Sequence, residues 1–286
     1  MSAIDSRKVV AAVAGPMAGY RAAMKGDLED WIPLEHAAQM LLDGTVFDEA
    51  DFPADFRPII GMMRLILEKT ASGGWNWSDP DVQRAFAEAA SGTVYRLYAE
   101  VLVAMVVEIL KAAPLLTVVE VGSGSGFVTG RLCRALRDND LGHVRLIATD
   151  MMPAIERLGH ELRSQYPELF IEHCCWNIQH EAPPELRTSL LESVLVFERF
   201  SLPYAGYCSI VNLASIADAL LLVDDLSLTG QKASFDHIYS RIGTQFLVLE
   251  EAYRHLSNYF SSIHTCDAEV VQAIHSPVST FTLAVK

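Results

Sequence analysis

The hydrophobic pattern divides the chain in two. From the amino terminus to about residue 110 the apolar positions fall three and four apart, which predicts helices. Two stretches show it well: DLEDWIPLEHAAQMLLDGT (27–45), stopped by Gly44, and SDPDVQRAFAEAASGTVYRLYAEVLVAMVVEILKAA (78–113), opening on Ser78 as N-cap. From residue 117 the pattern changes to short apolar and β-branched runs, predicting strands over 117–121, 143–149, 169–175, 219–224, 244–250 and 279–285. Helix-compatible segments separate most of them, so the expected fold is α/β, with a mainly parallel sheet covered on both faces. The interval 186–215 is too long for a plain connection of that class and is expected to be an inserted helical lid. The chain then reads as an N-terminal helical cap over 1–110 and an α/β domain over 111–286.

Composition narrows the partners. Of 286 residues 51% are hydrophobic, enough for a large buried core. A net charge of −14 and a pI near 5.0 argue against the broad basic surface that nucleic-acid binding requires. The longest apolar region, VLVAMVVEILKAAPLLTVVEVG (101–122), is broken by Glu108, Lys111 and Pro114 and makes no membrane span. The first apolar run is short and follows Asp5, unlike a signal peptide, and the expected location is cytoplasmic. The five cysteines form no CxxC pair and the nine histidines no ligand spacing, so reduced, packed thiols and no metal are expected. Adjacent Cys174 and Cys175 would face opposite sides of a strand. The apolar helix 98–110 suits a homodimer interface as well as a core.

Candidate chemistry centres on TVVEVGSGSGFVTGRL (117–132), where a strand runs into glycines at 122, 124 and 126. Such a turn into a helix aims backbone N–H groups at a ligand and needs glycine where a Cβ would block approach. The dinucleotide fingerprint GxGxxG does not fit, because the position three after Gly124 is Phe127. The run is E-x-G-x-G-x-G.

In this motif the chain resembles the class I S-adenosylmethionine-dependent methyltransferases, over roughly residues 110–286. The resemblance implies a Rossmann-like doubly wound sheet and S-adenosylmethionine as cofactor. Glu120, Gly122, Ser123, Gly124 and Gly126 would bind its methionine and ribose side, Asp150 of RLIATD the ribose hydroxyls, and Met151 the adenine face. CCWNIQHEAPPE (174–185) is similar to the family's D-I-x-x-x-P segment, with Asn177 in place of Asp and Ile178 as the apolar adenine contact. An amide oxygen still accepts from an adenine amino group, without charge assistance. ADALLLVDDLSL (217–228) stands where the fourth strand of the family falls, which brings Asp224 to the cofactor edge and Asp225 to the substrate side.

Two departures bear on the chemistry. The family's PGG before the fifth strand is replaced by RIGTQFLVLEE, and Ser227 and Leu228 occupy the place of the histidine of carbon-methylating polyketide enzymes. Oxygen methylation of a small-molecule acceptor in secondary metabolism is the favoured expectation. Candidates for proton removal are Asp225, Glu250, Glu251 and His255, the last two stacking on a helix at i, i+4. Trp77, Tyr95 and Tyr98 are candidates for an aromatic substrate wall. An aminopropyl transferase and a catalytically silent relative of the fold stand as alternatives.

Overall fold

The computed structural model describes residues 4–27, 32–186, 193–199, 201–224, 234–245, 247–266 and 280–286. Five helices come first: α1 (Ser6–Asp27), α2 (Ile32–Leu42), α3 (Arg57–Ala71), α4 (Pro80–Ser91) and α5 (Thr93–Ala112). The N-cap of α4 is Asp79, one residue past the expected Ser78. Its carboxylate accepts from the Asp81 N–H at 2.8 Å, and Pro80 takes the first helical position, where no N–H is missed.

Strands and helices then alternate: β1 (Thr117–Val121), α6 (Phe127–Asp138), β2 (Arg145–Asp150), α7 (Ile155–Gln165), β3 (Phe170–Cys175), β4 (Val194–Arg199), α8 (Leu202–Ala205), α9 (Ser209–Ile216), β5 (Ala219–Asp224), α10 (Ser234–Tyr239), α11 (Leu249–Leu256), β6 (Ser262–Cys266) and β7 (Thr280–Val285). Among the described residues seven strands form one sheet in the order β3-β2-β1-β4-β5-β7-β6, parallel except for β7, which runs against both of its neighbours. Strand order reverses between β1 and β4, and the carboxyl ends of those two strands are where an open sheet of this kind leaves a crevice for ligands.

Alternation along each strand divides the core between the two faces. Val118, Leu146, Leu195 and Phe197 face α1–α6 and the rest of the first core, while Val119, Ile147 and Val196 face the second core with Leu213 of α9 and Ala252 of α11. The first core is continuous from Val9 and Val13 of α1 through Leu102 of α5 to the sheet, so the N-terminal helices are packed directly on the strands.

The structure corrects three expectations. The interval 186–215 is no helical insertion: it contains β4, a central strand paired with β1 and β5, followed by α8 and α9. VLVF is buried on both faces and lacks alternation, and such a run has the same signature as a buried helix. The expected strand over 244–250 is an isolated bridge at Val248 leading into α11. There Glu250 and Glu251 favour a helix start, and Leu249, Ala252 and Leu256 recur on one face. Strand β6 is the third difference, since SIHTC is short and polar at its start. Among the described residues no helix is long and apolar enough to cross a membrane, and no cluster of side chains could hold a metal ion.

Candidate functional site

The loop between β1 and α6 is built by left-handed glycines: Gly122, Gly124 and Gly126 have φ of 71°, 53° and 77°. Only one of the three faces open space. A Cβ on Gly126 would collide with the Leu158 side chain, and one on Gly122 with the Ser201 hydroxyl, whereas at Gly124 the nearest atom is the Gly122 carbonyl oxygen at 3.9 Å. Gly126 and Gly122 are therefore needed for packing against α7 and the segment after β4. Gly124 is the residue at which the backbone is bare toward the crevice.

Asp150, at the end of β2, closes the other side. Its Oδ2 accepts from the Gly124 N–H at 2.8 Å and its Oδ1 from the Met152 N–H at 2.8 Å. Thr149 supports the loop from below: its carbonyl accepts from the Ser123 N–H at 2.9 Å, and its hydroxyl donates to the Glu120 carbonyl at 2.8 Å. Met151 beside Asp150 is 47% exposed, an apolar side chain held out at the strand edge.

The Glu120 side chain lies under the loop, not in the crevice. It is 3% exposed, and no described residue reaches its Oε2 with a hydrogen bond. Burial pushes its carboxyl up to about 7, with a further upward push from Asp150, against the favourable influence of the Thr129 and Ser123 hydroxyls and Arg199. The register explains this company. Val121 pairs with Thr149 on one side and Glu198 on the other, so Asp150 and Arg199 flank the strand end two residues beyond Glu120 and, by alternation, on its face.

Other expected residues have roles visible in the fold. Asn177 makes a turn, its Oδ1 accepting from the Gln179 N–H at 3.0 Å, and Ile178 is buried in the second core. Trp77 meets Tyr204 of α8 edge-on at 5.2 Å and Phe86 at 5.0 Å, which ties the N-terminal helices to the segment after β4. Tyr98 is 1% exposed and belongs to the core. Asp225 lies outside the described residues, as do the side chains of Asp224 and Tyr95.

The candidates on α11 are separated along the helix. The helix begins near α8, where the Gln245 N–H donates to the Pro203 carbonyl, and ends before β6, whose first residue aligns with the sheet's amino edge through Val285 and Ala219. Glu250 and Glu251 sit in its first turn, toward the crevice edge, and His255 in its last turn, away from it. His255 stacks on Tyr207, with ring centroids 5.1 Å apart and an interplanar angle of 4°. Glu198 is the residue that pattern reading passed over. Buried at the end of β4, it caps the turn into α8 by accepting from Ser201 N–H at 2.8 Å and Leu202 N–H at 3.2 Å. Its signal, a lone acid closing an apolar run, was hidden with the strand itself.

No family model and no curated protein matches the chain. Solved structures do. The CMeT domain of the citrinin polyketide synthase superposes with a TM-score of 0.62 at 13% identity, covering 80% of this chain and 65% of that one. The CurJ carbon methyltransferase gives 0.62 at 14% identity, over 86% and 69%. The mitomycin 7-O-methyltransferase MmcR gives 0.50 at 15%, over 77% and 60%. The chain spans about two thirds of the length of these proteins. With its reversed strand β7, its switch point between β1 and β4 and its N-terminal helices, the chain has the fold of the class I S-adenosylmethionine-dependent methyltransferases.

Proposed function

We propose that this chain is an S-adenosylmethionine-dependent methyltransferase acting on a small molecule. The observation that carries the reading is the junction of Gly124 and Asp150 at the switch point. A loop glycine with open space where a side chain would stand and the carboxylate that holds its amide meet there beside an exposed apolar side chain, Met151, and these are the surfaces an adenosine with an amino-acid tail would use. The residues fit that group. Asp150 would accept from ribose hydroxyls, Met151 would cover adenine with Asn177 beside it, and the open backbone at Gly124 would let the amino-acid end approach.

S-adenosylmethionine supplies an electrophilic methyl group on a sulfonium, displaced in line by the acceptor's nucleophile. For such a displacement the protein's main task is to hold the acceptor in line and keep water out. We assign that task to the N-terminal helices over residues 1–110, with Trp77 and Tyr204 as an aromatic wall for a flat acceptor. Where the acceptor must lose a proton, Glu250 and Glu251 are better placed than His255, which lies at the far end of α11, and Asp225 remains a candidate from the sequence. Oxygen is the favoured target atom because Ser227 and Leu228 replace the expected histidine. Carbon methylation is the second reading, favoured by the likeness to two polyketide carbon methyltransferases. A role in secondary metabolism goes with either.

Calorimetric titration with S-adenosylmethionine and S-adenosylhomocysteine, repeated on Asp150→Ala, tests the assignment. The expected result is micromolar binding of both ligands by the unmodified protein and its loss in the variant. No binding by the unmodified protein overturns the reading and leaves a catalytically silent relative of the fold.

A further inference from the structure

Glu120 is set differently from a ligand-binding acid. Its carboxyl is 3% exposed beneath the glycine loop, and its Oε2 has no hydrogen-bond partner among the described residues. A carboxylate in that setting is expensive to ionise, because burial strips its water and no donor replaces it at that oxygen. The groups facing it are few. Asp150 at the end of β2 opposes its charge, Arg199 at the end of β4 favours it, and the Thr129 hydroxyl of α6 and the Ser123 hydroxyl of the loop, both buried and without a hydrogen-bond partner among the described residues, favour it as well. Cys133, one turn further along α6, has its thiol pushed up to about 12 by burial and by Glu120 itself, so it stays neutral in the physiological range. With burial as the leading influence and one acid and one base opposing each other, the ionisation of Glu120 is open to whatever charge stands in the crevice above.

We propose, on the reading that the crevice holds S-adenosylmethionine, that Glu120 is a positioning residue whose protonation follows the charge of the cofactor. Glu120 is ionised under the cationic sulfonium and protonated under the neutral thioether. In the low-dielectric setting below the loop, Coulomb interaction falls off slowly, so direct contact is not required. On binding the sulfonium form, the Glu120 proton leaves for solvent. After transfer, the methyl is on the acceptor and the C–S electron pair on sulfur, so the cation is gone and Glu120 takes a proton back from solvent. The attraction that held the cofactor is thereby withdrawn at the step where the product must leave. Glu120 thus discriminates cofactor from product by charge, through the rigid loop that Asp150 and Thr149 hold in place.

The test is proton linkage in binding, which needs no acceptor and no turnover. The full chain is titrated with S-adenosylmethionine and with S-adenosylhomocysteine, from pH 6 to pH 8, in buffers of unlike ionisation enthalpy. Both ligands carry the same amino-acid group, but the sulfonium lowers the pKa of its ammonium in one of them, so that group's titration is measured on each free ligand and subtracted. At pH 7 the sulfonium ligand should release about half a proton more than the thioether, and its affinity relative to the thioether should weaken about tenfold from pH 8 to pH 6. This difference should vanish in Glu120→Gln, and Thr129→Val, which removes a donor, should move its midpoint to higher pH. The comparison of ligands in the unmodified protein stands even if a variant fails to fold. Equal proton release for the two ligands overturns the inference and leaves the proposed function intact; no binding of either overturns both.

Discussion

The carboxylate of Asp150 and the backbone N–H of Gly124 lie 2.8 Å apart, although 26 positions separate them in the chain. Parallel pairing of β1 with β2 brings the two strand ends level, and the loop glycine then presents its amide to the acid on the neighbouring strand. The same carboxylate holds the Met152 N–H, so it fixes both the glycine loop and the turn into α7.

Replacing Asp150 should therefore cost stability as well as affinity. Two hydrogen bonds to a charged acceptor are lost, worth about 1.5–3 kcal/mol each before water compensates at this half-buried position, and we expect Asp150→Ala to lose about 2 kcal/mol. Asp150→Asn keeps one acceptor oxygen and should lose about half as much. Urea denaturation of the three proteins without ligand decides it: equal stabilities would mean that the carboxylate contributes nothing to holding the loop.

The glycines should separate into packing and ligand positions. Gly126→Ala forces a left-handed residue into Leu158, and about 3 kcal/mol of destabilisation is expected, with partial recovery in Gly126→Ala/Leu158→Ala because the left-handed backbone stays strained. Gly124→Ala meets no side chain and should cost only the conformational part, about 1 kcal/mol, while removing cofactor binding. Denaturation and titration on the same preparations check the contrast. Stable, fully binding Gly124→Ala would show that nothing approaches the loop there.

Much of this site is readable from sequence because its signals are local. A strand, its closing acid and three alternate glycines occupy consecutive positions, and Asp150 ends the short, mainly apolar run LIAT. Local signals do not tell a central strand from a buried helix, so VLVF at 194–197 reads as part of a helical insertion while TVVEV at 117–121, ending in glycine, reads as a strand. Nor does sequence tell whether an acid points into a crevice or under a loop. Glu120 and Asp150 are both strand-end acids, yet one is 3% exposed and the other is bonded at the surface of the loop, a difference set by where each stands relative to the end of its strand. His255 and Glu251 share a helix face, but the direction of α11, fixed by β6 and β7, puts them at different distances from the crevice edge.

Trp77 and Tyr204 provide a test of how the N-terminal helices are fastened over the switch point. Their rings meet edge-on at 5.2 Å, and Trp77 also meets Trp75 at 5.2 Å. A double-mutant cycle of Trp77→Ala and Tyr204→Ala should give a coupling of about 0.5–1.5 kcal/mol, while Trp77→Ala alone costs about 3 kcal/mol because it empties a half-buried aromatic cluster. Additive effects would mean that the two rings are neighbours without interacting.

The pH dependence of stability should carry the signature of Glu120. Its ordinary value is 4.5 and its folded value about 7, so between those limits the unfolded chain has lost a proton that the folded chain keeps. The folded state then loses ground as pH rises from about 4.5 to about 7, and the whole penalty, about 3 kcal/mol, is present above that range. In the ligand-free protein Glu120→Gln should remove it. The variant should match the unmodified chain near pH 5, where the carboxyl is neutral in the fold, and exceed it at pH 8 by up to about 3 kcal/mol. Urea midpoints at the two pH values measure this, and a difference that does not change between them would place the raised carboxyl elsewhere. A stabilising substitution at a motif acid is expected where burial of a charge serves binding rather than folding, since a site that must respond to ligand charge keeps a group the core would discard.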